Sequence, residues 1–226
     1  MDITPVKTPK FIQKAFAYHT WHIPSGEKVI YLTFDDGPTP EITDWTLNTL
    51  EAFKAKATFF CIGDNIQKHP NLFKLILEKG HSVGNHTHNH LKGWKTDTQT
   101  YIDNTLKAQE IINHNSSDYS KTDQSVLTNK LLFRPPYGKL KPKQSLALHK
   151  LNYKTIMWSI LSKDWDINIS KEDCAKKVIS KTQTGDIIVF HDSVKASRNM
   201  KYTLPKVLDY FSEKGFKFKR ILAQDL

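Results

Sequence analysis

The run Val29-Ile30-Tyr31-Leu32-Thr33-Phe34-Asp35-Asp36-Gly37-Pro38 decides the fold. A short β-prone segment leads directly into two carboxylates, and Gly37-Pro38 then forces a turn. The same arrangement returns along the chain. Ala57–Ile62 is a second strand, and His81–Asn85 is a third that delivers His86. Leu131–Arg134 ends on Arg134, Tyr153–Trp158 precedes Asp164, Asp186–Phe190 delivers His191, and Phe216–Phe218 is the last strand.

Helical patterns separate the strands. Thr39 reads as an N-cap with Pro40 at the first helical position, and that helix runs to about Phe53. Others span Pro70–Lys79, stopped by Gly80, then Thr98–Asn113 and Lys143–Leu151. Ser170–Lys181 places Cys174, Ala175, Val178 and Ile179 on one face. Leu204, Val207, Leu208 and Phe211 form a core-facing stripe, and Gly215 ends that helix. Seven strands alternating with helices predict an α/β fold with a mainly parallel sheet. An open sheet would spread the polar strand-end residues along an edge, whereas a barrel gathers them around one cavity. The expected fold is therefore a distorted (β/α) barrel of seven strands in a single domain.

The 226 residues suffice for one well-cored domain, with 38% hydrophobic and 25% charged residues, so global disorder is excluded. Lys and Arg outnumber Asp and Glu by 33 to 23, a net charge of +10. The excess is spread out, with short clusters at Lys139–Lys143 and Lys214–Arg220. Neither is the block of like charge that marks a nucleic-acid tail, so no nucleic-acid partner is expected. A solvated basic surface and attraction to an anionic polymer or cell-wall surface both fit. The polar stretch Asn113–Asn129 reads as a surface loop or insertion. Cys61, inside an apolar run, reads as a buried thiol, Cys174 falls in a helix, and two cysteines make no disulfide framework. Residues 1–28 show no secretory pattern, and no stretch is long enough to span a bilayer. As written the chain reads as soluble, unexported and monomeric, cytoplasmic by sequence, with association with the cell envelope left open.

Five segments carry chemistry. Asp35 and Asp36 repel each other unless something positive holds them. A metal on one and an arginine on the other would solve that problem, although a surface turn of two acids is the plain alternative. Gly80–His90 holds four of the ten histidines. His86 and His90 are four apart, so a helical turn or a compact loop can aim both imidazoles at one metal. With one aspartate they make a three-ligand site with open positions, which suits catalysis rather than structure. Non-haem iron oxygenases use the same donor set, so the ligands alone do not name the reaction. Phe133-Arg134-Pro135-Pro136-Tyr137-Gly138 holds an arginine stiffly, able to pair a carboxylate across the cavity mouth or to serve a structural salt bridge. Trp158–Trp165 flanks Asp164 with aromatic residues. Ile187–Asp192 brings His191 to a strand end, where it is either a catalytic acid or a satisfied core histidine.

Together, in this order and across residues 27–220, these segments resemble the polysaccharide deacetylase family (carbohydrate esterase family 4, the NodB-homology domain). The resemblance implies residues 1–26 as a lead-in, 27–220 as the catalytic domain and 221–226 as a tail. It implies a distorted barrel that removes acetyl groups from N-acetylated sugars in polymers such as peptidoglycan or chitin, or O-acetyl groups from xylan. Asp36, His86 and His90 would then bind a divalent metal, usually zinc, with cobalt or another divalent ion as alternatives. Asp35 would be the general base and Arg134 would position it. The backbone N–H of Tyr137 would help hold the oxyanion, and His191, oriented by Asp164, would be the general acid. Trp165 and Val189, with Tyr137, would line the pocket for an acetylated carbohydrate.

One position departs from the family pattern. Its fourth motif usually reads Asp-x-x-Asp-Trp, and here the first position is Leu161, so a carboxylate that would neighbour Arg134 and His191 is missing. A non-catalytic carbohydrate-binding protein on the same scaffold is the rival that this departure favours.

Overall fold

The computed structural model describes residues 4–117, 119, 131–223 and 226. Eight strands are present: β1 (Val29–Asp35), β2 (Ala57–Cys61), β3 (Ser82–Asn85), β4 (Leu131–Phe133), β5 (Tyr153–Thr155), β6 (Ile160–Leu161), β7 (Ile187–His191) and β8 (Lys217–Phe218). The helices are α1 (Lys10–Ala15), α2 (Ile42–Ala52), α3 (Gly63–Lys68), α4 (Pro70–Glu78), α5 (Thr98–Ser116), α6 (Pro142–Lys150), α7 (Lys171–Lys181) and α8 (Ser197–Glu213). Seven strands lie in the order β5-β4-β3-β2-β1-β7-β6, paired in parallel, and β8 pairs with the start of β1. The sheet curls into a half-barrel with helices outside, the single-domain distorted (β/α) barrel that the strand pattern predicts.

β1 is buried along its whole length between β2 and β7. Side chains alternate across a strand, so its two rows have different fates. Ile30, Leu32 and Phe34 join the layer packed under α2 and α8, where Phe34 stacks between Phe59 and Phe190 at ring distances of 5.0 and 6.0 Å. Val29 and Tyr31 point the other way, into a cluster with Phe60, Leu132, Ile156 and Ile187. Thr33 and Asp35 continue that inner row. The barrel interior thus changes from apolar to polar toward the carboxyl ends of the strands.

The two edge strands come from one stretch of sequence. The run Tyr153–Trp158 reads as one strand, but only Tyr153–Thr155 pairs with β4, and after a crossing Ile160 and Leu161 pair with β7. Both halves are buried, so apolar patterning alone hides the change of partner. The lead-in fills the seam between these edges. Thr20 bridges to Ile156 and Lys7 to Ile160, and Leu161 N–H donates to the Val6 carbonyl at 2.7 Å. Lys7 Nζ also lies 3.1 Å from the buried Asp186 carboxylate.

Other boundaries shift for local reasons. The first predicted helix begins at Ile42, not Pro40. Glu41 is the N-cap, and its N–H donates to Asp44 Oδ2 at 3.0 Å. Thr39 instead donates its N–H to Thr43 Oγ1 at 2.8 Å, which holds Thr39-Pro40 outside the helix. α1 and α3, six residues each, are too short for a periodic signal. The polar stretch after Asn113 begins as the last turn of α5, and most of it lies outside the described residues. Both cysteines are free and buried. No helix among the described residues is long and apolar enough to cross a membrane.

Gly84 carries β3 past the inner face of β2. A Cβ there would sit 2.5 Å from the ring of Phe60, which is fully buried and cannot swing aside. Gly84→Ala is expected to cost about 1–3 kcal/mol by overpacking, read as a lower denaturant midpoint with an unchanged slope. An unchanged midpoint would mean that β3 yields without cost.

Candidate active site

The carboxyl ends of the strands surround a cavity of about 430 Å³. Asp35, Asp36, His86, His90, Tyr137, Trp165, Val189 and His191 all line it, so the residues singled out from separate segments meet at one place. Arg134 and Asp164 stand behind them, at 0% and 1% exposure. A smaller cavity of about 90 Å³, beside Ser82, Asn113 and Ala223, shares no lining residue with it.

Asp35 and His191 are register partners on adjacent parallel strands, which puts both side chains on the inner face. Arg134 NH1 lies 2.8 Å from Asp35 Oδ1, with the two side chains 0% and 4% exposed. The same nitrogen donates to Thr33 Oγ1 at 2.6 Å, Nε donates to the Ile156 carbonyl at 3.0 Å, and NH2 donates to the Met157 carbonyl at 2.8 Å. The guanidinium rests on the Phe60 ring, 4.2 Å from its centroid. Asp35 Oδ2 has no protein partner among the described residues.

Asp36 points away from this pair. Its φ of 80° turns the chain in the left-handed region, and the Asn65 amide donates to its carbonyl at 2.7 Å. Asp36 Oδ1 lies 3.6 Å from His86 Nε2 and 3.3 Å from His90 Nε2. His90 and Tyr137 also have positive φ, at 53° and 59°, so backbone strain gathers where the loops turn side chains toward the cavity.

The donor set fits a metal ion. Asp36, His86 and His90 offer one carboxylate and two imidazole atoms, all within 4.8 Å of one another. His86 Nδ1 lies 2.7 Å from the Arg134 carbonyl, which can only accept, so Nδ1 carries the proton and Nε2 presents its lone pair to the cavity. Burial, with a smaller contribution from His90, lowers the His86 pKa to about 3 and keeps the imidazole neutral. Asp36 Oδ1 is buried and has no hydrogen-bond partner, an orphan that a cation would satisfy.

His191 is anchored to Asp164. Its Nδ1 lies 2.8 Å from Asp164 Oδ1, and its backbone N–H donates to Asp164 Oδ2 at 2.8 Å. Burial pulls its pKa down, but the charge and hydrogen bond of Asp164, with Asp36 and Asp35 adding, outweigh this and lift it to about 9. Trp165 packs edge-on against the ring at 4.8 Å. Leu161 lines the cavity wall, and both Arg134 and His191 keep carboxylate partners without an acid at that position.

Two residues escape notice in the sequence. Asp192, fully buried, accepts the Gly37 N–H at 3.0 Å and the Thr43 hydroxyl at 2.5 Å, locking the turn that carries Asp36. Burial pushes its pKa up to about 7. A Cβ at Gly37 would fall 2.0 Å from Asp192 Oδ2, so no larger residue fits there. Thr33 passes the Arg134 hydrogen bond on to the Ile188 carbonyl at 2.8 Å. Both partnerships join residues about 150 positions apart, and no local pattern reports them.

Comparison with known proteins follows the same lines. Residues 22–156 match the profile of the polysaccharide deacetylase family. A peptidoglycan-N-acetylglucosamine deacetylase of Bacillus cereus is 34% identical over 203 residues, covering 89% of this chain and 90% of that protein. A peptidoglycan-N-acetylmuramic acid deacetylase of Bacillus subtilis, PdaA, is 29% identical over 86% of this chain and 70% of its own length. The crystal structure of the Bc1960 peptidoglycan N-acetylglucosamine deacetylase superposes with a TM-score of 0.81 at 28% identity, over 95% of each chain. With the strand-end cluster and these matches in agreement, the chain belongs to the polysaccharide deacetylase family.

Proposed function

We propose that this protein is a metal-dependent hydrolase that removes N-acetyl groups from an amino-sugar polymer, with peptidoglycan the first substrate to test. The observation that carries this reading is the shared cavity, in which Asp36, His86 and His90 converge beside Asp35 and His191. The peptidoglycan deacetylases among its relatives support the choice of polymer. In this reading residues 27–220 form the catalytic domain. Chitin-like oligomers and O-acetylated xylan are the next substrates to try.

Asp36, His86 and His90 would hold the ion, zinc being the best suited to two imidazoles and one carboxylate, with cobalt or another divalent ion as substitutes. Such an ion polarises an acyl carbonyl and lowers the pKa of water. Asp35 takes the proton of the attacking water. Arg134 holds that carboxylate through Oδ1 and aims it, leaving Oδ2 toward the cavity. The backbone N–H of Tyr137 steadies the negative oxygen of the tetrahedral intermediate. His191, protonated at neutral pH, gives its Nε2 proton to the departing amine, while Asp164 holds the other ring nitrogen. Val189, Trp165 and Leu161 make an apolar wall suited to the acetyl methyl. The complete wiring of Arg134 and His191 weighs against a purely sugar-binding role.

Asp35→Asn should lower kcat by about 10²–10⁴-fold while leaving bound metal in place, measured as acetate release beside metal content. Near-normal turnover would remove Asp35 from the role of base. Because the His191 pKa lies near 9, its proton is retained through neutral pH, and activity should fall as pH rises past about 9. In Asp164→Asn the main raising charge is gone, so this alkaline limb should move to lower pH in a kcat/KM profile. An unmoved limb would assign it to another group. Cobalt added to the metal-stripped protein should give a visible absorption band that His86→Ala abolishes. A band that survives the substitution would place the metal elsewhere.

A further inference from the structure

Beyond the reacting groups, a ladder of rings leads out of the cavity from the candidate metal ligand His90. Its ring lies 4.7 Å from that of Tyr137, which meets Trp94 edge-on at 5.4 Å. Two ammonium groups cap this ladder. Lys92 Nζ is 5.3 Å from the Tyr137 centroid, and Lys139 Nζ is 5.1 Å from that of Trp94. Both lysines are exposed. From the other flank, in the loop after His191, exposed Lys195 also lines the cavity. Among the described residues, none of the three is in an ion pair with a carboxylate. Elsewhere on the surface, Lys68, Lys79 and Lys217 each find an acidic partner.

The lysine-bearing turns are held in place. Fully buried Gln144 donates to the Gly93 carbonyl at 2.9 Å and accepts the Lys141 N–H at 2.9 Å, joining the Lys92–Trp94 turn to the segment that carries Lys139. Lys141 Nζ adds a bond to the Thr96 carbonyl at 2.7 Å. A Cβ on Gly93 would strike the Lys139 carbonyl at 2.8 Å, so the two segments touch there. Cations fixed on aromatic faces beside a cavity, without acidic partners, are arranged to meet an incoming anion.

We propose that Lys92, Lys139 and Lys195 form a cationic rim that selects acetylated glycans bearing a carboxylate on a sugar neighbouring the one that loses its acetyl group. This rests on the deacetylase reading and narrows its substrate to acidic polymers over neutral ones.

The test compares two N-acetylated glycan oligomers, one with free carboxylates and one with the same carboxylates as methyl esters. The wild type should favour the free acid by roughly tenfold in kcat/KM at low salt, a few exposed charge contacts' worth. The preference should shrink in 0.5 M sodium chloride, about five times the ionic strength at which screening reaches ~10 Å. Lys92→Gln/Lys139→Gln/Lys195→Gln should bring the ratio near one, with the loss appearing in KM for the acid. No preference in the wild type, or an unchanged ratio in the triple variant, overturns the proposal. Calorimetric titration of both oligomers into Asp35→Asn separates the two readings. Preferential binding of the acid by a chain whose wild type releases no acetate keeps the rim and sinks the deacetylase. Acetate release without preference sinks the rim alone.

Discussion

The contact between Arg134 and Asp35 organises this molecule. Both side chains lie inside the barrel, where an unmatched charge would cost several kcal/mol. The guanidinium therefore needs acceptors around its whole fork. It finds the Asp35 carboxylate, the Thr33 hydroxyl and the carbonyls of Ile156 and Met157. The two carbonyls belong to the stretch where the chain leaves β5 and crosses toward β6. One side chain thus orients the inner carboxylate of β1 and fastens the seam at which the curled sheet changes edges. Thr20 of the lead-in pairs at the same place. The apolar plug of Val29, Tyr31, Phe60 and Leu132 lies along the same inner face and isolates the pair from water on that side.

With Asp35 committed to Arg134, its neighbour must be held by something else. Adjacent carboxylates on one loop repel, and this chain separates them by direction. Asp35 continues the inner row of β1, while Asp36 turns aside toward two neutral imidazoles. A third carboxylate, Asp192, lies close by and is kept from competing by its own partners, the Gly37 N–H and the Thr43 hydroxyl. Its raised pKa reflects burial first and nearby Asp36 as well. The three acids are thereby divided among different partners. One faces an arginine, one faces histidines, and one is held by a backbone N–H and a threonine hydroxyl.

Much of this was legible in the sequence because the informative residues sit where strands end. Short β-prone runs stopping at Asp35, His86, Arg134 and His191 marked both the sheet and the edge of the cavity. Part of what escaped shares one cause. The change of partner between Thr155 and Ile160 and the clamp of Asp192 on Gly37 are decided by residues far away in the chain. Periodicity and short motifs report neighbours along the sequence, and a pairing between positions 37 and 192 leaves no trace in either. Gln144 is the same case. A polar residue in a helix pattern reads as solvent-facing, yet it is fully buried and ties together two loops beside the cavity.

Leu161 shows how a departure from a family pattern can be absorbed. Its backbone is fixed on both sides, in register with Val189 and bonded to Val6, so its side chain must face the cavity wall. A carboxylate there would join Asp35 and Asp164 in a small buried volume and would compete for Arg134. Arg134 already bonds four acceptors and rests on Phe60, so a further acid would find few of its five N–H groups free. With leucine, Arg134 serves a single carboxylate, His191 keeps Asp164 to itself, and the wall shared with Val189 and Trp165 becomes continuous and apolar. The contacts of Arg134 with Asp35 and of Asp164 with His191 remain in place with leucine at this position.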